Sequence, residues 1–260
     1  MTNPRSETPA GSDRSEPRTE APALPINELF HSLQGEGRLA GMPSTFVRTS
    51  GCNLRCWFCD SYHTSWEPSG DWMDLDTVHE RVDEHGANHV VLTGGEPLLH
   101  DASEGLLGRL AEAGYHTTVE TNGTIVPDPD TPIDLASVSP KLESSTPTPE
   151  RDPKGEGEWA ERHEERRLDL EALSTLIERY DHQLKFVVTD RGDVEEITEL
   201  LGRLRERVPV ADEDVLLMPE GATRDRLDET QGTVADLAME YGFRYTPRLH
   251  VDLWNDAPGT

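Results

Sequence analysis

The decapeptide GCNLRCWFCD at 51–60 holds every cysteine of a 260-residue chain: Cys52, Cys56 and Cys59, spaced C-x3-C-x2-C. Sulfur at this density can pair as disulfides, exchange electrons or bind metal. The odd count and tight spacing argue against a disulfide framework. A structural zinc site takes four ligands. His31 or His63 can supply the fourth, although a Cys3His site usually pairs two x2 spacings rather than using one x3. Soft thiolates also hold iron–sulfur clusters. Three thiolates on a four-iron cube leave one iron open, and an open iron can bind and reduce a ligand. That is a catalytic arrangement rather than an electron carrier's.

The turn TGGEP at 93–97 follows the apolar run HVVL. Gly94 and Gly95 allow close approach of backbone to a ligand, Pro97 fixes the exit, and Glu96 is the turn's one charge. ETNGT at 120–124, SPK at 139–141 and MPEG at 218–221 likewise close strand-like runs. The strand-like segments are STFVRTSG, HVVLTGGEP, HTTVETNG, IDLASVSPK, HQLKFVVTD and DVLLMPEG. Between several of them lie helix-period segments: LDTVHERVDEHG, ASEGLLGRLAEAG, LEALSTLIERY, DVEEITELLGRLRERV and TVADLAMEYG. Strand, turn and helix repeated about six times predict an α/β fold with a parallel sheet. A closed or partly closed β/α barrel fits, and a doubly wound open sheet is the alternative. In both, sites assemble at the carboxyl ends of the strands, so the polar turns gather on one rim.

Residues 1–24, rich in Pro, Ser, Glu and Arg, are expected to form a disordered tail before one domain spanning 25–260. Residues 143–167 are expected to form an acidic surface insertion that ends in a solvated helix. No run of roughly 18 or more apolar residues is present, and the N-terminus lacks a signal-peptide core, so a cytoplasmic protein is expected. Asp plus Glu number 51 and Lys plus Arg 24, a formal net charge of −27. That sign excludes a bare nucleic-acid binder.

The cysteine spacing, with an aromatic before the last cysteine and a GGEP turn one strand later, resembles the radical S-adenosylmethionine superfamily. The resemblance extends to the 7-carboxy-7-deazaguanine synthase family over most of residues 26–254. It is carried by ELFHSLQGEG at 28–37, FVR at 46–48, GCNLRCWFCDS at 51–61, TGGEP, ETNGT and SPK. LKFVV at 184–188, LMPEG at 217–221 and RLHVDLW at 248–254 complete it. It implies a shortened β/α barrel, the partial (β/α)6 barrel of the superfamily. It also implies a 4Fe-4S cluster on Cys52, Cys56 and Cys59, with S-adenosylmethionine chelating the open iron and giving a 5′-deoxyadenosyl radical. The implied reaction is ring contraction of 6-carboxy-5,6,7,8-tetrahydropterin to 7-carboxy-7-deazaguanine with loss of ammonia, on the route to the tRNA nucleosides queuosine or archaeosine.

By the same resemblance, S-adenosylmethionine falls to Phe58, Cys59, Asp60, Gly95, Ser139, Pro140, Lys141 and the run Met218, Pro219, Glu220 and Gly221. The substrate falls to Leu33, Gln34, Gly35, Glu36, Arg48, Thr93 and His250. Arg48 can pair with the pterin carboxylate through a forked contact. Magnesium falls to Ser61, where the family commonly has Thr. A homodimer and an electron donor such as flavodoxin or ferredoxin are the implied partners. Two rivals stand beside this reading: an activase that makes a glycyl radical on a partner protein, and a non-catalytic iron–sulfur or zinc module. SLQGEG and RLHVDLW weigh against the first.

The basic residues are nearly all Arg; the lysines are Lys141, Lys154 and Lys185. Two of these fall inside the matched motifs, where a compact ammonium has uses a guanidinium lacks. An acidic, lysine-poor surface suits concentrated salt, which screens its self-repulsion. Thermal stability is therefore expected to rise from low to molar KCl; equal stability at both would overturn the salt-loving reading.

Overall fold

The computed structural model describes residues 21–154 and 157–255, together with Ala257 and Gly259. Its strands are β1 (Ala23–Leu33), β2 (Pro43–Thr49), β3 (Asp71–Asp74), β4 (His89–Gly94), β5 (His116–Thr121), β6 (Leu135–Val138), β7 (His182–Val188), β8 (Val215–Pro219) and β9 (Arg244–Tyr245). They form one sheet in the order β3-β1-β2-β4-β5-β6-β7-β8-β9. From β2 to β9 every pairing is parallel, whereas β1 runs antiparallel to both β2 and β3. The fold is thus α/β with a mostly parallel sheet, and the six strand-like segments of the sequence are β2, β4, β5, β6, β7 and β8. β1 is an addition: its alternation is broken by Pro25 and by a register shift between Ile26 and Glu28.

The helices are α1 (Tyr62–Ser65), α2 (Leu75–His85), α3 (Ala102–Glu112), α4 (Ala160–Arg166), α5 (Leu170–Arg179), α6 (Asp193–Arg205), α7 (Arg224–Tyr241) and α8 (Leu249–Trp254). In α2, Asp74 caps the first turn by accepting from the Thr77 amide, Leu75, Val78 and Val82 are buried, and Gly86 ends the helix in the left-handed region. α7 starts nine residues before the periodic stretch TVADLAMEYG. Its first turns are polar apart from Leu227, and Thr223 caps them.

Strand alternation divides the sheet into two environments. Val47, Leu92 and Val119 face a core built with α2 and α3. Val138, Leu184, Phe186 and Leu217 face a second core built with α5, α6 and α7. The intervening residues Arg48, Thr93, Glu120, Ser137, Lys185 and Met218 face one cavity on the other side. Parallel register aligns them, with Arg48 opposite Thr93 and Glu120 opposite Ser137.

Two expected boundaries change. Residues 1–20 of the tail lie outside the described residues, but its last residues do not form a tail. Ala23 begins β1, and Leu24 is fully buried in the same core as Val47, Leu75 and Leu106 while pairing with Met73. The 143–167 segment exposes its outer residues, yet it is not simply solvated: His163 of α4 is buried, as are Ser145 before the helix and Arg167 just after it. Leu24→Ala is expected to cost about 2–5 kcal/mol in urea unfolding. An unchanged midpoint would return these residues to the tail.

Candidate active site

The cluster loop leaves β2 at Ser50 and has little regular structure before α1. Strand ends hold it instead. The Glu96 amide donates to the Gly51 carbonyl at 2.9 Å, and the Gly51 amide donates to Thr64 O at 2.8 Å. A Cβ on Gly95 would stand 2.1 Å from Gly51 O and 2.8 Å from Cys52 Cβ. Glycine is therefore required at position 95 for contact between the β4 turn and the cluster loop. From β5, the Asn122 amide side chain donates to Asn53 Oδ1 at 2.9 Å, and Asn53 Nδ2 donates to Thr124 Oγ1 at 2.8 Å.

Glu96 is fully buried and turns away from the cavity. Its carboxyl accepts from Thr121 Oγ1 at 2.9 and 3.0 Å, the Asn122 amide at 2.7 Å and the Leu98 amide at 3.1 Å. Burial pushes its pKa up to about 7, despite the opposing pull of those hydrogen bonds. Its carboxyl ties the end of β4 to the end of β5.

All three cysteines line a cavity of about 560 Å³. Burial pushes the Cys52 and Cys56 thiols up to about 12 and raises Cys59 as well. Thiolates here need a strong local cation, which iron supplies. Donors already point at the sulfurs: Ser65 Oγ at 3.2 Å from Cys59 Sγ and the Leu54 amide at 3.4 Å from Cys52 Sγ. Among the described residues no three His, Cys, Asp or Glu side chains converge on one ion. Cluster corners do not require that, because each thiolate binds a different iron. The donor set therefore fits a cluster.

A network of charges lines the same cavity, its cations Lys185 and Arg248 buried and Asp60 at its exposed end. Lys185 Nζ reaches Glu36 Oε2 at 2.5 Å and Glu120 Oε1 at 3.6 Å. Arg248 Nη2 pairs with Glu36 Oε1 at 3.2 Å and also with Asp60 of the cluster loop. Burial would raise the Glu36 carboxyl, but Lys185 and then Arg248 outweigh it and hold the pKa at about 2. Burial likewise opposes charge on Lys185, and Glu120 and Glu36 more than restore it, so Lys185 stays a cation. Gln34 Nε2 and Thr93 Oγ1 donate to Glu120 at 3.2 and 2.9 Å. The Glu36 amide donates to Gln34 Oε1 at 3.1 Å.

SLQGEG and RLHVDLW interlock. The Leu249 amide donates to Gly35 O at 2.8 Å, and a Cβ on Gly35 would fall 1.9 Å from His250 Nδ1. Position 35 must be glycine for His250 to enter the cavity.

Leu33, Gln34, Gly35, Glu36, Arg48, Thr93 and His250 all line the cavity, as do Phe58, Asp60, Ser61, Gly95, Ser139, Lys141 and Met218. Pro140, Pro219, Glu220 and Gly221 do not, and Ala222 takes the place expected for the end of the MPEG turn. Glu220 is instead engaged by Arg226 Nε at 2.7 Å. Arg48 is not free to take up a ligand unaided. It pairs with Glu28 at 2.8 Å, and its guanidinium lies over Phe30 at 5.1 Å. His63 lines the cavity, but His31 does not; it stacks on His85 at 6.1 Å. The sequence motifs give no explicit site role to Glu28, Glu120, Lys185 and Arg248, which line the cavity. Lys185 carried a signal, a lysine retained among arginines; Arg248 sits within RLHVDLW, two residues before His250.

Residues 46–233 match the model of the radical S-adenosylmethionine superfamily. The 7-carboxy-7-deazaguanine synthase of Halobacterium salinarum is 66% identical over 245 residues, covering 93% of this chain and 94% of that protein. The synthase of the same name from Rhodopirellula baltica is 40% identical over 244 residues, covering 94% and 91%. The crystal structure of QueE from Escherichia coli is similar at a TM-score of 0.58 and 25% identity, covering 88% of this chain and 95% of that one. The chain belongs to the radical S-adenosylmethionine superfamily and, within it, to the 7-carboxy-7-deazaguanine synthase family.

Proposed function

We propose that this protein converts 6-carboxy-5,6,7,8-tetrahydropterin to 7-carboxy-7-deazaguanine with release of ammonia, feeding 7-deazapurine nucleosides of tRNA. One observation carries the reading. The three cysteines and the Glu36–Lys185–Glu120 network open onto the same cavity, so a polar heterocycle bound to the network sits beside the cluster loop. The two relatives named as 7-carboxy-7-deazaguanine synthases support it.

When bound, a cluster and S-adenosylmethionine supply one-electron hydrogen abstraction. The chain's own residues bind and orient. Leu33 and Phe46 give apolar wall to a flat ring, while Glu36 and Glu120 offer acceptors to the amidine-like edge. Lys185, held protonated, is a fixed cation there rather than a base. Arg48 is oriented by Glu28 and keeps further guanidinium hydrogens for the substrate carboxylate. Burial lowers the pKa of His250, so its ring is neutral and offers both a lone pair and an N–H. Among the described residues Arg248 Nε is buried without a partner, a donor available to an anionic group of either ligand. Lys141 Nζ donates to Ser139 Oγ at 2.7 Å, fixing a cation beside the cysteines.

Magnesium at Ser61 belongs to the same proposal. Its hydroxyl lines the cavity next to Asp60, an oxygen pair suited to an ion that keeps several waters. A homodimer belongs to the same proposal. Flavodoxin or ferredoxin is the proposed donor and the cytoplasm the proposed compartment; no helix among the described residues is long and apolar enough to cross a membrane.

Cys56→Ala is expected to lose cluster iron and all turnover while the far-ultraviolet spectrum changes little. Retained turnover would refute the ligand assignment. Lys185→Met leaves Glu120 without its cation and Glu36 with Arg248 alone. Stability should fall by about 3 kcal/mol or more, and turnover should fall at least about tenfold. Wild-type values for both would remove Lys185 from the site.

A further inference from the structure

The segment 143–167 also grips the cluster loop. The Trp57 amide donates to Ser145 O at 3.1 Å, and its indole nitrogen donates to Ser144 O at 2.7 Å. The Arg55 guanidinium lies over the Trp159 ring at 4.2 Å, and that of Arg151 lies over Trp57 at 5.3 Å. At the centre is His163 of α4, with 0% exposure. The Arg55 amide stands 3.1 Å from His163 Nδ1, and Ser145 Oγ stands 2.8 Å from Nε2.

These partners fix the ring's state. An amide can only donate, so Nδ1 carries the lone pair and Nε2 the hydrogen, which goes to Ser145 Oγ. The Ser145 hydroxyl donates its one hydrogen to Leu142 O at 2.6 Å, which holds the residue whose carbonyl accepts from the Trp57 amide. One imidazole therefore satisfies an amide between Cys52 and Cys56 and holds the serine whose carbonyl takes up an amide between Cys56 and Cys59. None of this is required of a surface excursion.

We propose that His163 is a positioning residue for the iron–sulfur cluster, setting the cluster loop directly through Arg55 N and, by way of Ser145, through Trp57 N. The proposal rests on the cluster reading of the three cysteines. Its chemistry explains the residue type: the site needs an acceptor and a donor on opposite edges of one dry, rigid ring. Asn keeps an acceptor near the Nδ1 position, whereas Leu fills the space with neither group.

The test compares reconstituted wild-type, His163→Leu, His163→Asn and Ser145→Ala holoenzymes. The readouts are iron and sulfide content, the rate of iron loss to a chelator, and the electron paramagnetic resonance of the reduced cluster with and without S-adenosylmethionine. Partners behind metal ligands typically alter metal affinity about 10- to 100-fold. Iron loss is expected to rise by about that factor in His163→Leu, with a changed resonance, and to recover substantially in His163→Asn. Ser145→Ala should fall between. Wild-type spectra and iron retention in His163→Leu would overturn the proposal. If that variant fails to fold, wild-type behaviour of Ser145→Ala together with an unrescued His163→Asn would do so. Wild-type protein that takes up zinc and no iron would instead overturn the cluster reading itself.

Discussion

Three thiols, one buried and two half-buried, are carried on a loop that has almost no repetitive hydrogen bonding, and its placement is the constraint on which the site depends. Such a loop cannot hold its own geometry; its backbone groups must be satisfied from outside. Close contact at Gly95 sets it against β4, Asn122 reaches it from β5, and Trp57 and Arg55 are taken up by the 143–167 segment. Glu96 secures the first two supports to each other by spending its carboxyl on backbone and threonine donors. A carboxyl held in so dry a place resists ionisation, which is why its pKa rises to about 7 while Glu36, among cations, falls to about 2.

The parallel sheet makes the second half of the site possible. Alternation sends Val47, Leu184 and Phe186 to the helices and Arg48, Glu120 and Lys185 to the cavity. Buried charges of this kind are tolerated when each has a partner of opposite sign. Lys185 sits between two carboxylates, and Arg248 joins Glu36 to Asp60 of the cluster loop. The network thus links the two chemical halves of the cavity.

Much of this was legible from local pattern. Strand and helix periods located β2 and β4 to β8, and the polar turns marked the rim, because both signals lie within a few residues of one another. What stayed hidden depends on contacts far apart in sequence. Leu24 looks like the end of a polar tail until Met73 pairs with it. His163 looks like one polar residue of a charged helix until Arg55 is placed against it. Arg48 reads as a ligand for a carboxylate, and only the pairing of β1 with β2 shows that Glu28 already holds it. The MPEG turn looked like one continuous binding run, but Glu220 is drawn off by Arg226, a partner on the following helix.

The central claim is that the cavity joining the cysteine loop to the charged network transforms a pterin. It is tested most directly by mass spectrometry of the products from anaerobically reconstituted enzyme given S-adenosylmethionine, a reductant and 6-carboxy-5,6,7,8-tetrahydropterin. Time-dependent 7-carboxy-7-deazaguanine, accompanied by ammonia, is the predicted result. Iron-loaded enzyme that cleaves S-adenosylmethionine yet leaves the pterin unchanged would contradict it.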